Sequence, residues 1–198
     1  GDLFYRSFPN IYTLRGTKPR WALDYIESIN RVLALRPEIL LPSHGEPILG
    51  NANIHREMTR YRDAIQYVHD QTVQGMNQGR DVFSLMREIK LPAELDVGEA
   101  YGWVSWSVRG IYEGYMGWFD GDPVNMYAQS PQSIYGDLVA LAGGADKVVA
   151  LAEQTLNAGD AVKALLLIEA ALDAEPDNSE VQAMRLQILT TLRKASGN

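Results

Sequence analysis

The chain has 198 residues, 46% of them hydrophobic, with 18 Lys and Arg against 25 Asp and Glu for a net charge of -7. That is enough apolar material for one or two domains with cores of their own, and the acidic balance argues against nucleic acid as a partner, since such binding neutralises phosphates with Lys and Arg. The absence of cysteine removes disulfides, thiolate nucleophiles and thiolate metal ligands together, and no apolar run approaches the roughly 20 residues needed to cross a bilayer.

Residues 1 to 19 read as irregular, with Pro9, Gly16 and Pro19 around a strand-like Ile11-Tyr12-Thr13-Leu14. From Arg20 to Arg36 the apolar positions Trp21, Ile26, Ile29 and Leu33 follow helical spacing, and Pro37 stops the helix. A short strand, Glu38 to Leu41, comes next and ends in Pro42-Ser43-His44-Gly45. Strand, helix, strand is an α/β segment too short to close a sheet by itself.

After a loop from Gly45 to Asn51 the pattern becomes helical. Ile54, Met58, Tyr61, Ile65, Val68, Thr72 and Met76 form one stripe along a helix of about six turns. A second helix is expected over Asp81 to Lys90, with Asp81 as N-cap and Pro92 as stop. Residues 99 to 121 hold Gly102, Gly110, Gly114 and Gly117 among Trp103, Trp106, Tyr112, Tyr115 and Trp118. Glycine weakens a helix by about 1 kcal/mol against alanine, so these four need a reason. Close approach of a neighbouring helix to the face of Gly110, Gly114 and Gly117 supplies one. The aromatics then read as core, as an interface between two copies, or as a ligand pocket. Three further helices are expected over 146–157, 161–174 and 179–193. With Gly159-Asp160 and Pro176-Asp177-Asn178 between them, they resemble one tetratricopeptide repeat plus an extra helix.

Chemistry is sparse. His44 is presented at a strand end with Gly45 behind it, where the backbone can turn sharply, and a neutral imidazole suits zinc. Zinc needs three or four protein ligands, yet the chain has only His44, His55 and His69 and no His-x-His-x-Asp-His run. His55 reads as a solvated surface residue and His69 as a structural hydrogen-bonding group. Arg15, Lys18 and Arg20 place three cations within six residues of one loop, and guanidinium forks recognise sulfate, phosphate and carboxylate through paired donors. A solvated basic turn is the plain alternative. The Gly-x-Ser-x-Gly, P-loop and dinucleotide patterns are all missing from the sequence.

Three stretches share a resemblance: Phe8 to Thr17, Leu41-Pro42-Ser43-His44-Gly45, and Tyr61 to Thr72. With Gly114-Tyr115-Met116-Gly117-Trp118-Phe119-Asp120-Gly121-Asp122-Pro123 and the repeat-like tail, they resemble consecutive landmarks of the zinc-dependent alkylsulfatases of the metallo-β-lactamase superfamily. The resemblance covers nearly the whole chain.

It implies a mostly α fold. Residues 1–50 are expected to be the C-terminal segment of a metallo-β-lactamase-like catalytic domain, a short α/β remnant. Residues 52–198 are expected to be an all-helical alkylsulfatase dimerisation domain, repeat-like from about 145. Such enzymes use two zinc ions to hydrolyse alkyl sulfate esters to alcohol and sulfate. His44 matches a zinc ligand, and Arg15 and Arg20 match cations that hold the sulfate group. A homodimer is implied as well. The remaining ligands belong to sequence upstream, so the chain alone is expected to bind zinc weakly and to be inactive. Gly1 to Arg6 does not resemble a signal peptide. The periplasm or secretion is the expected location of the parent protein, with any export signal upstream. The alternative function is a stand-alone helical module that binds a peptide or protein partner.

Overall fold

The computed structural model describes residues 2–14, 16 and 20–196. Contacts divide the chain into two compact units, residues 1–120 and 121–198. Among the described residues no helix is long and apolar enough to cross a membrane.

In the first unit an irregular segment leads into α1 (Ala22–Ala34), followed by β1 (Ile39–Leu40), β2 (Ile48–Leu49), α2 (Asn51–Asn77), α3 (Val82–Glu88) and α4 (Val104–Met116). The two strands pair antiparallel, Ile39 opposite Leu49 and Leu40 opposite Ile48. The sheet is therefore a short hairpin closing the loop around His44, and Ile11 to Leu14 is not a strand. Glu38, just before β1, accepts from the N–H of Asn51 at 3.1 Å. It thus places a carboxylate on the positive end of α2, where Gly50 offers no capping side chain.

With 27 residues, α2 is about 40 Å long. Its stripe behaves as the spacing predicts: Ile54, Met58, Tyr61, Ile65, Val68 and Thr72 are all buried. All but Thr72 form one core with Phe4, Phe8 and Ile11 of the irregular segment, Ile26 and Ile29 of α1, Leu85 of α3, and Val104, Val108 and Ile111 of α4. Among the described residues, those before position 50 share this core with the helices that follow. α3 begins as read, the Asp81 carboxylate accepting from the Ser84 N–H at 2.9 Å. Hydrogen bonds from Ser84, its side chain first and then its N–H, hold the Asp81 carboxyl below its ordinary pKa.

The aromatic segment differs from expectation. The buried residues of α4 are Val104, Ser107, Val108, Gly110 and Ile111. Trp103 and Trp106 stack on each other 4.8 Å apart, while Trp118 is 78% exposed. Gly117 lies past the helix end at φ 75°, with open space around it. The buried face of α4 is thus made of small and β-branched residues, with the Tyr112 ring only partly buried against the core.

In the second unit α5 (Tyr135–Leu141) precedes α6 (Ala145–Asn157), α7 (Ala161–Ala174) and α8 (Ser179–Ala195). α6 packs on α7, and α7 on α8 and α5. Ala152, Ala164 and Ala171 are fully buried, and their small side chains let the helices approach closely. Asp160 caps α7 through the Lys163 N–H, and Asn178 caps α8 through the N–H groups of Glu180 and Val181.

Candidate functional site

Four features of the chain, the first of them long-range, build the cleft that carries Arg20 and His44. The irregular segment is pinned first: the Phe8 N–H donates to Gly98 O at 2.7 Å and the Gly102 N–H to Phe8 O at 3.1 Å. The Asn10 N–H then donates to the Tyr5 hydroxyl at 2.9 Å. Arg20 closes back on this segment, its own N–H donating to Ile11 O and its Nη1 to Asn10 O, both at 3.1 Å. Finally the β1–β2 hairpin holds His44 at its tip, Gly45 taking φ 93° behind it.

The result is a cleft of about 310 Å³ lined by Asp2, Tyr5, Arg20, His44 and Tyr101. Arg20 and His44, read separately from the sequence, line the same cleft. Arg15, the other expected cation, lies outside the described residues. Nη1 of the Arg20 guanidinium donates to a neutral carbonyl, and the side chain lines the cleft together with the Asp2 carboxylate. The imidazole of His44 is 77% exposed, with Nε2 3.5 Å from the Asp2 carboxylate. Tyr5 and Tyr101 meet edge to face at 5.7 Å and form an aromatic wall. Burial raises the Tyr5 hydroxyl above its ordinary pKa. A cation beside aromatic walls suits an anionic head group with an apolar tail.

One imidazole and one carboxylate do not make a zinc site. Among the described residues no three His, Asp or Glu side chains converge as metal ligands do. The donor set of this chain does not by itself fit a zinc ion, still less a pair.

Sequence reasoning missed Tyr5, Tyr101 and Asp2, because nothing in their local spacing shows that Gly98 to Tyr101 lies beside residues 5 to 10. It also gave no role to Asn10, whose Oδ1 is buried without a hydrogen-bond partner among the described residues. His55 is exposed as expected, near Thr59. His69 is a hydrogen-bonding bridge, Nδ1 2.8 Å from Asp70 Oδ1 and Nε2 2.8 Å from the Tyr115 hydroxyl.

Known proteins resemble this chain over nearly its whole length. The linear primary-alkylsulfatase of a Pseudomonas strain is 36% identical over 197 residues, covering 97% of this chain and 37% of that protein. The alkyl/aryl-sulfatase BDS1 of Saccharomyces cerevisiae is 27% identical over 191 residues, 92% of this chain and 29% of that one. The stereoselective inverting sec-alkylsulfatase Pisa1 from Pseudomonas sp. superposes with a TM-score of 0.89 at 27% identity, over 96% of this chain and 31% of its own. The chain therefore spans about a third of the length of the curated relatives it matches. Residues 83–198 match the family model described as alkyl sulfatase dimerisation, and the chain belongs to that family.

Proposed function

We propose that this chain forms part of a zinc-dependent alkylsulfatase, supplying its dimerisation domain and one corner of its active site. The observation that carries the reading is the single cleft shared by Arg20 and His44 in a chain whose relatives are alkylsulfatases. In this reading Arg20, with Arg15 beside it in sequence, holds the sulfate group of an alkyl sulfate ester. A fixed guanidinium stabilises the charge that develops on the sulfate oxygens as the ester is cleaved to alcohol and sulfate. Tyr5 and Tyr101 wall the cleft beside that charge. His44 is one ligand of a zinc pair whose other ligands lie outside this chain. The chain alone is then inactive toward sulfate esters.

Dimerisation in this reading uses the helical region. Support comes from the matched residues 83–198 and from apolar side chains left in solvent there, among them Leu141 at 84% exposure.

The test is to assay the protein encoded by the complete reading frame for sulfate release from linear primary and secondary alkyl sulfates. Arg20→Ala is expected to lower the rate by about 10²- to 10³-fold, and His44→Ala to reduce bound zinc together with activity. The 198-residue chain is expected to sediment as a dimer of twice 22.1 kDa. Absence of sulfate release from the complete protein, or a rate indifferent to Arg20→Ala, overturns the reading.

A further inference from the structure

Three glycines around α4 lie bare where the Arg20-bearing segment rests on that helix. A Cβ on Gly102 falls 2.3 Å from the Pro9 carbonyl carbon and 2.6 Å from Asn10 N. On Gly110 it falls 2.9 Å from Tyr12 Cβ, and on Gly114 2.6 Å from Trp21 Cζ3. Real Cβ atoms do not come that close, so the glycines are the seat of residues 9 to 12 and of Trp21. The neighbour they admit is this irregular segment, not a helix.

Arg20 is tied into the seated part at two points, through its N–H to Ile11 O and its Nη1 to Asn10 O. Its neighbour Trp21 lays its indole over Gly114. The next residue of α4, Tyr115, is held from α2: its hydroxyl meets Nε2 of His69, whose Nδ1 meets the Asp70 carboxylate. With Nδ1–H donating to Asp70, Nε2 accepts from the Tyr115 O–H, so one tautomer satisfies all three groups. His69 is only 8% exposed, which makes the bridge costly to break. Arg20, Trp21, His69, Gly110 and Tyr115 line a second cleft of about 160 Å³. Arg20 therefore sits between this cleft and the one it shares with His44.

We propose that Gly114 and Tyr115 are positioning residues for Arg20. The Asp70–His69–Tyr115 chain fixes the last turn of α4 to α2, and Gly114 lets Trp21 lie flat on that turn. Together they set the register at which Arg20 offers its guanidinium to the cleft. The catalytic meaning of the inference rests on the sulfate-holding role proposed for Arg20; its geometry does not.

The experiment uses the 198-residue chain and two readouts by nuclear magnetic resonance: hydrogen exchange of the Arg20 backbone N–H, and titration of inorganic sulfate followed at the Arg20 Nε–H. Gly114→Ala is expected to speed exchange at Arg20 by about tenfold or more while the Val68 and Thr72 amides of α2 keep their rates. The indole is 52% exposed and can swing outward without unfolding the helix. Adding Trp21→Leu makes room for the new methyl and is expected to bring Arg20 to within about threefold of the Trp21→Leu variant alone. General damage to α4 does not give that rescue. Tyr115→Phe keeps the ring, loses the bond to His69, and is expected to produce a smaller acceleration at the Arg20 amide. Exchange at Arg20 unchanged by Gly114→Ala, or accelerated but not rescued by Trp21→Leu, overturns the proposal. If the exchange pattern holds but sulfate does not move the wild-type Arg20 Nε–H, the sulfate role of Arg20 fails and the positioning stands.

Discussion

In the first compact unit the largest buried side chains are Tyr61, Phe8, Ile11, Ile29 and Met58, and the core they form gathers residues from Phe4 to Ile111. In the second the core runs only from Val139 to Ile188 and is built around Ala152, Ala164 and Ala171 with Ile168 and Ile188. The first unit joins distant parts of the chain with polar ties, such as the Gly98 carbonyl to Phe8 and Ser7. The second stacks neighbouring helices through small residues and caps α7 and α8 with local side chains. An irregular segment that carries a cation in a set place needs the first kind of construction, because it has no regular hydrogen-bond ladder of its own. A helical stack does not.

The sharpest way to break this contrast is to damage each core in turn. Met58→Ala leaves a cavity at the centre of α2 and is expected to cost about 2–5 kcal/mol. By hydrogen exchange it should loosen residues 4 to 11 along with α2 and leave α6 to α8 protected. Ala164→Leu forces a larger side chain between α6 and α7 and is expected to cost about 1–3 kcal/mol. Here the loss of protection should stay within α5 to α8. Exchange that rises equally in both units for either variant would show that the two stand or fall together.

A smaller effect, confined to alkaline solution, belongs to the first unit alone. Burial raises the hydroxyl of Tyr25 to about 12 and that of Tyr61 higher still, and the two hydroxyls lie 3.3 Å apart. Both groups are bound more tightly to their protons in the folded chain than in the unfolded one. Their contribution is therefore complete below pH 10 and is lost as pH rises toward 12 and beyond. Thermal melts followed by exchange should show the first unit weakening above pH 10 and no change between pH 7 and 9. Tyr25→Phe should blunt that decline.

How much of this was legible in the sequence varies with how local the cause is. The α2 stripe, the Asp81 cap and the limits of α6, α7 and α8 were readable within a residue or two, since periodicity and capping are properties of neighbours in sequence. α5 was not anticipated, because Tyr135 to Leu141 is too short to show a period. β2 was missed for the same reason. The glycines of α4 were rightly seen to need a close neighbour, but the neighbour is ninety-odd residues upstream and no spacing identifies it. His44 and Arg20 stand out in the sequence as residue types able to bind a metal and an anion. That they line one cleft with Tyr5 and Tyr101 is a product of the long-range ties, and only the fold displays it.

The tie between Ser7 and Gly98 spans 91 positions, and it has a consequence for the newborn chain. Ribosomes add about 5–20 residues per second, so residues 4 to 11 wait roughly 5 to 20 seconds before Gly98 and α4 emerge to cover them. During that interval Phe8 and Ile11, both sealed in the finished protein, are open to whatever else is sticky in the cell. The same stretch later accepts both hydrogen bonds of Arg20, at Asn10 O and Ile11 O, so a delay in covering it also delays the placing of that guanidinium.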